Sequence, residues 1–198
     1  MSDWTNLNYV VVDVEGNGQQ PPDLVELAAV PITDGVIGSP VSWLVQPETP
    51  ITPIALRIHG ITNAMVSSAP DFGTIAAEVR DALDMDCLIA HNAHVDVGVL
   101  QRKLGEWECP EVLDTLKLAR RLLPGADSYK LGGLVTTLKL ADGLPDGLTL
   151  HRATYDALVT ARLFVRLVEG SDTRPLTLEE LRNTPAARDD GNGTAALF

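Results

Sequence analysis

The sequence predicts an α/β domain with a mixed sheet, and three observations lead there. Three apolar, β-branched runs near the N-terminus, Tyr9–Val14, Leu24–Ile32 and Val36–Val45, are separated by turn-forming residues and read as an antiparallel meander. A fourth apolar run, Cys87–Ala90, lies much later, between two segments of helical period. The last third of the chain is helical in pattern with at most one more strand. Strands, helices, a strand and again helices describe a sheet flanked by helices.

The first strand, in Asn8–Gly18 (NYVVVDVEGNG), ends near Glu15. Side chains alternate along a strand, so Asp13 and Glu15 share one face. Two like charges side by side repel, and burying them is costly unless a cation intervenes. Carboxylate oxygens suit magnesium or manganese, whose usual client is a phosphate. Solvent beyond the sheet is the other resolution, and a bare Asp-x-Glu favours it until the rest of the chain supplies partners. Gly16–Pro22 is turn-like, and Thr33-Asp34-Gly35 is a hairpin signal. Glu26 interrupts the second apolar run and reads as exposed, or as a hydrogen-bonded neighbour of a site, in preference to a ligand.

Pro47, Pro50 and Pro53 exclude a regular element until Ile54, after which Ile54–Ile61 reads as a short helix stopped at Gly60. His59 lies among apolar residues there and, taken alone, reads as packed. Phe72–Leu83 is an amphipathic helix, and Val95, Val99, Leu100 and Leu104 mark another that follows Cys87–Ala90. Asp96 falls in the first turn of that helix, where the macrodipole favours an anion and strand-to-helix junctions place functional groups. Leu113–Leu123 reads as a helix broken by Pro124-Gly125, and Leu131–Leu140 as a shorter one. Asp142–Gly147 is a loop, Ala153–Val168 the longest helix, and Thr177–Leu181 a short capped helix at most. In His151–Asp156 (HRATYD), five helical residues would set the end side chains roughly 140° apart. His151 is therefore expected in the loop before the helix, leaning over a pocket that Asp156 lines.

At 198 residues with 45% apolar content, the chain can bury a sizeable core. No apolar run suffices to cross a bilayer and the start, MSDWTNLN, lacks a leader pattern, so the expected location is the cytoplasm. The two cysteines, Cys87 and Cys109, have neither a pairing framework nor metal-ligand spacing. A net charge of −12 excludes nucleic-acid binding through a broad basic surface. Lys117, Arg120, Arg121, Lys130 and Lys139 form a local basic region, open to reading as a solvated helix face or as a phosphate contact.

DVEG at 13–16, HNAHVD at 91–96 and HRATYD at 151–156, in this order and spacing, resemble the three motifs of the DnaQ-like 3′→5′ exonucleases of the DEDDh type. The resemblance runs from about Tyr9 to Val168 and also takes in IHGIT at 58–62 and LDTLKLAR at 113–120. It implies an RNase H-like fold, here the domain of residues 1–183, and a site holding two divalent cations, Mg2+ or Mn2+; the polar, Gly-rich composition of 184–198 separately reads as a flexible tail. Asp13 would bridge the ions, Glu15 and Asp156 would complete the first, and Asp96 would support the second, largely through water. His151 would be the general base, and Gly16, Ile58, His59 and Val95 would wall the pocket for the 3′-terminal nucleotide. His91 and His94 read as supporting residues. Many relatives carry hydroxyl residues where this chain has Gly16-Asn17, and an aromatic where it has Val95, positions that bear on grip of the terminal base.

The expected activity is metal-dependent removal of nucleoside 5′-monophosphates from DNA 3′ ends. RNA or short oligoribonucleotides are the alternative substrate, and a non-catalytic binding module is a third reading that would show a missing ligand. The expected partners are nucleic-acid 3′ ends, with a DNA polymerase or sliding clamp as candidates, the latter through Ala195–Phe198; no membrane partner is expected.

Overall fold

The computed structural model describes residues 4–169 and 176–182. β1 (Tyr9–Gly16) is the axis of a six-stranded sheet. It pairs antiparallel with β2 (Leu24–Thr33) from Tyr9 opposite Ile32 to Glu15 opposite Glu26, with an irregularity between Glu15 and Gly16. The run expected as one third strand is two. β3 (Val36–Ile37) pairs with β2 at Ile32 and Thr33, and β4 (Val41–Leu44) pairs with it from Glu26 to Ala29. Pro40 has no N–H for the ladder, and the Gly38 N–H donates to the Pro31 carbonyl at 2.8 Å across the break.

α1 (Pro53–His59) starts at the Thr52 cap, which accepts the Ala55 N–H, and ends at Gly60 with φ 72°. α2 (Asn63–Val66), not foreseen from the sequence, is one turn capped by Thr62. α3 (Phe72–Leu83) has the expected bounds, with Asp71 as its cap. β5 (Cys87–Ala90) adds to β1 in parallel, and α4 (His94–Leu104) follows. The expected helix from Leu113 begins two residues late. β6 (Glu111–Asp114) pairs in parallel with β5 from Cys87 opposite Glu111 to Ala90 opposite Asp114, and only then does α5 (Thr115–Leu122) start. Leu113 is needed in the sheet core and Asp114 accepts the Leu116 N–H as helix cap, so tertiary pairing overrides a local helical period. α6 (Leu131–Leu138), α7 (Ala153–Glu169) and α8 (Leu178–Arg182) complete the described residues. The expected tail, 184–198, and its Ala195–Phe198 ending lie outside the described residues. Among the described residues no helix is long and apolar enough to cross a membrane.

Strand alternation divides the interior in two. Tyr9 and Val11 of β1, Ala28, Val30 and Ile32 of β2, and Ile89 of β5 pack under α5, α6 and α7. Val10 and Val12, Leu27 and Ala29, and Leu88 and Ala90 pack under α3 and α4. Asp13 and Glu15 continue the first set, so the sheet directs both carboxylates toward α7. Phe164 of α7 is fully buried, with its ring 5.9 Å from Trp4 edge-on and 5.1 Å from Tyr9. Phe164→Ala should lower the free energy of unfolding by about 3–5 kcal/mol, measured by urea titration. A loss well below that range would mean that α7 is not pinned to the sheet at this point.

Candidate active site

β1, β5 and β6 run in parallel, so their C-terminal ends share one edge, and the site is built there. Asp13, Glu15 and Asp156 each present an oxygen within 4.8 Å of the other two. The partners come from positions 13, 15 and 156 because β1 alternation and the first turns of α7 meet on the same face. Asp96, in the first turn of α4, stands outside this trio and accepts the Val14 N–H at 3.1 Å, which ties it to the backbone near the end of β1.

Like charges and burial act together here. Burial raises Asp13 well above its ordinary value of 3.8, and Asp96, Asp156, Glu15 and Glu26 push the same way. Glu15 is pushed up to about 9 by burial, then by Asp156, Glu26 and Asp96, with Arg152 opposing. Asp96 and Asp156 each rise to about 7, chiefly by burial, against the pull of N–H groups bonded to them.

Asp156 also shows what would relieve the cluster. Its Oδ2 accepts the His151 backbone N–H at 3.0 Å, while its Oδ1 is buried with no hydrogen-bond partner among the described residues. A buried carboxylate oxygen without a donor is costly, and on a residue clustered with two further carboxylates it fits a hard cation with oxygen ligands. The donor set therefore fits a divalent metal.

His151 lies in the loop before α7, exposed and at φ 59°. His59 is buried at 4% exposure; its Nδ1 accepts the Ile61 N–H at 3.0 Å and its Nε2 faces the Gly16 carbonyl at 3.2 Å. An acceptor at one nitrogen and a donor at the other specify neutral imidazole, and burial lowers its pKa accordingly. The imidazole thus latches α1 to the end of β1. Gly16, Ile58 and Val95 are half-buried at the same edge. His91 links β5 to α5 and the following loop, through Thr115 Oγ1 at 2.9 Å and the Tyr129 carbonyl at 3.0 Å, and His94 is exposed.

Asn17 faces away from the pocket. It is fully buried; Nδ2 donates to Thr49 Oγ1 and the Thr49 carbonyl, and Oδ1 accepts the Gln19 and Asp23 N–H groups. Its own carbonyl accepts the Thr52 N–H at 2.9 Å, so Asn17 sets where α1 begins. Gly18, at φ 77°, lies so near Thr52 that a Cβ would fall 2.2 Å from Oγ1. Only glycine fits there.

The sequence left Glu26 open between an exposed residue and a hydrogen-bonded neighbour of the site, and the structure takes the second: it is 5% exposed, and Arg152, which the sequence reading did not single out, grips it with two hydrogen bonds. The available signal was parity: Glu26 has the register of Ala28 and Val30, which face α7. Arg152 gave no signal beyond its place beside His151.

A mixed sheet with carboxylates converging at the C-terminal ends of its parallel strands defines a metal-type hydrolase site. Residues 10–164 match the RNase T exonuclease family model. The chain is 38% identical over 176 residues to Exodeoxyribonuclease 10 of Escherichia coli K12, covering 89% of this chain and 76% of that protein. It is 36% identical to 3′-5′ exonuclease DinG of Bacillus subtilis, covering 88% of this chain and 19% of the relative. A solved structure, Exonuclease X in complex with 5′ overhanging duplex DNA, superposes with a TM-score of 0.72 at 37% identity over 87% of this chain and 96% of that one. The chain belongs to the RNase T exonuclease family and is a hydrolytic exonuclease.

A carboxylate raised on folding favours the fold below its unfolded pKa, and that contribution is lost as pH rises through its folded pKa. For Asp96 and Asp156 the loss runs from the ordinary carboxylate range up to about 7, and for Glu15 up to about 9. Magnesium should therefore raise the melting temperature, by an increment that grows with pH from the ordinary carboxylate range to about 9. Thermal scans at constant ionic strength check this; a pH-independent increment would contradict it.

Proposed function

We propose that the protein shortens DNA from its 3′ end, releasing nucleoside 5′-monophosphates. The observation that carries this reading is the donor-free Asp156 Oδ1 beside Asp13 and Glu15. The names of the relatives, an exodeoxyribonuclease and a 3′-5′ exonuclease, and the DNA in the matched complex support the substrate and the polarity.

Asp13, Glu15 and Asp156 would hold one divalent ion, Mg2+ or Mn2+, and Asp13 would share a second that Asp96 supports. When bound, the pair supplies Lewis acidity toward the phosphodiester and neutralises the charge that develops there. The chain's own residues do the rest. His151, exposed in the loop before α7, takes the proton of the attacking water as general base. Asp156 holds the backbone of that residue through Oδ2. Gly16, Ile58, His59 and Val95 wall the terminal nucleotide. Because both ring nitrogens of His59 are engaged by backbone groups, this imidazole contributes shape to the wall.

A polymerase connection draws support from similarity to DNA polymerase III PolC-type of Bacillus subtilis, of which the chain matches 11%; copurification with the replicative polymerase is its test.

Asp13→Ala should abolish turnover, since it removes the carboxylate common to both ions. His151→Ala should slow it by about 10²- to 10⁴-fold while leaving Mn2+ affinity intact. The assay is a time course on 5′-labelled single-stranded DNA and matched RNA, with magnesium, manganese or chelator. A metal-dependent ladder receding from the 3′ end of DNA supports the reading; faster loss of RNA would move it to a ribonuclease, and no ladder would end it.

A further inference from the structure

Glu26 and Arg152 lie outside the carboxylate trio, yet together they join β2 to the start of α7. Glu26 sits opposite Glu15 in the β1–β2 ladder and faces α7. Three donors meet its carboxylate: Arg152 Nε at 3.0 Å, Arg152 Nη2 at 2.5 Å and the Ala153 N–H at 2.9 Å. The first two form a fork that fixes the guanidinium plane. The third caps a first-turn N–H of α7, so a strand residue 127 positions earlier does what a local Ser, Thr, Asp or Asn commonly does.

Three consecutive residues are therefore held. The His151 N–H is bound by Asp156, the Arg152 side chain by Glu26, and the Ala153 N–H again by Glu26. Between them the backbone passes through φ 59° at His151. A non-glycine residue in the left-handed region is less stable by itself and persists where its surroundings over-determine it. The Glu26–Arg152 fork supplies that restraint on the C-terminal side of His151.

We propose that Glu26 and Arg152 are positioning residues for the reaction: their fork clamps residues 151–153 to β2 and so sets the height and direction of the His151 imidazole over the carboxylate site. The pair acts through His151, and its function is separate from gripping a phosphate. The inference rests on the nuclease site proposed above.

The test is a double-mutant cycle. The double variant Glu26→Gln/Arg152→Met keeps an oxygen for the Ala153 N–H and an apolar stem in place of the arginine, while removing the ion pair; Arg152→Lys keeps the charge and loses the fork. Turnover of 5′-labelled DNA with magnesium, Mn2+ affinity by electron paramagnetic resonance and melting temperature are measured for each, in wild-type and His151→Ala backgrounds. The expected result is a roughly 10- to 100-fold lower kcat in both fork variants, with KM and Mn2+ affinity kept, and no further loss when the double variant is combined with His151→Ala.

The same loss on top of His151→Ala would overturn the inference, as would an unchanged kcat with only a lower melting temperature. A higher KM with a shallower salt dependence would also overturn it, by making Arg152 a phosphate contact. Hydrogen exchange at the His151 amide in metal-free protein reads the clamp without activity, and it should be slow in the wild type and fast in the fork variants. Wild-type protein that shows slow exchange but cleaves neither DNA nor RNA would sink the nuclease reading alone; equal exchange in wild type and variants would sink the clamp alone.

Discussion

Every part of the site follows from the burial of like charges beneath α7. Asp13 and Glu15 share the strand face that carries Tyr9 and Val11, a face otherwise apolar and covered by helices. Adding Asp156 from the covering helix brings three carboxylates within reach of one another, with Asp96 and Glu26 near enough to raise them further. A fold does not retain such a cluster for stability, since repulsion and desolvation both act against it. The gain, on the proposed function, is a place that would hold a multiply charged cation and let a phosphodiester, itself an anion, approach an otherwise acidic protein. The net charge of −12 and a nucleic-acid substrate are compatible on these terms.

The surrounding structure reads as restraint on that cluster. Three of its five acids are tied by backbone N–H groups, Asp96 through Val14, Asp156 through His151 and Glu26 through Ala153. Glu26 is neutralised by a forked arginine. On the other side of the pocket, Asn17 places α1 and His59 locks it to Gly16. Rigid, satisfied neighbours keep the few unsatisfied atoms where a ligand would need them, and Asp156 Oδ1 is such an atom.

What was legible in the sequence was local. The shared face of Asp13 and Glu15 follows from alternation, Asp96 falls in the first turn of α4 because the strand before it is short, and α3, β5 and α7 follow from periodicity. What failed depended on distant pairing. Leu113 continues the period of Leu116 and Leu123, but β5 claims it as a strand residue. Val36–Val45 reads as one apolar run, but the ladder to β2 breaks at Gly38–Pro40 and splits it into two strands. The Glu26–Arg152 fork spans 126 positions, and no local pattern announces it. Gly16-Asn17 was noted only as a departure from the hydroxyl residues of many relatives, and nothing local shows that the turn after β1 directs the Asn17 side chain to Thr49.

The central claim is that Asp156 Oδ1, Asp13 and Glu15 together hold a divalent cation. Anomalous diffraction from crystals soaked with manganese tests it most directly. The account predicts a manganese peak at coordination distance from an oxygen of each of the three, with Oδ1 as the Asp156 ligand. Manganese density elsewhere on the protein but none at these carboxylates, or a protein donor found on Asp156 Oδ1, would contradict it.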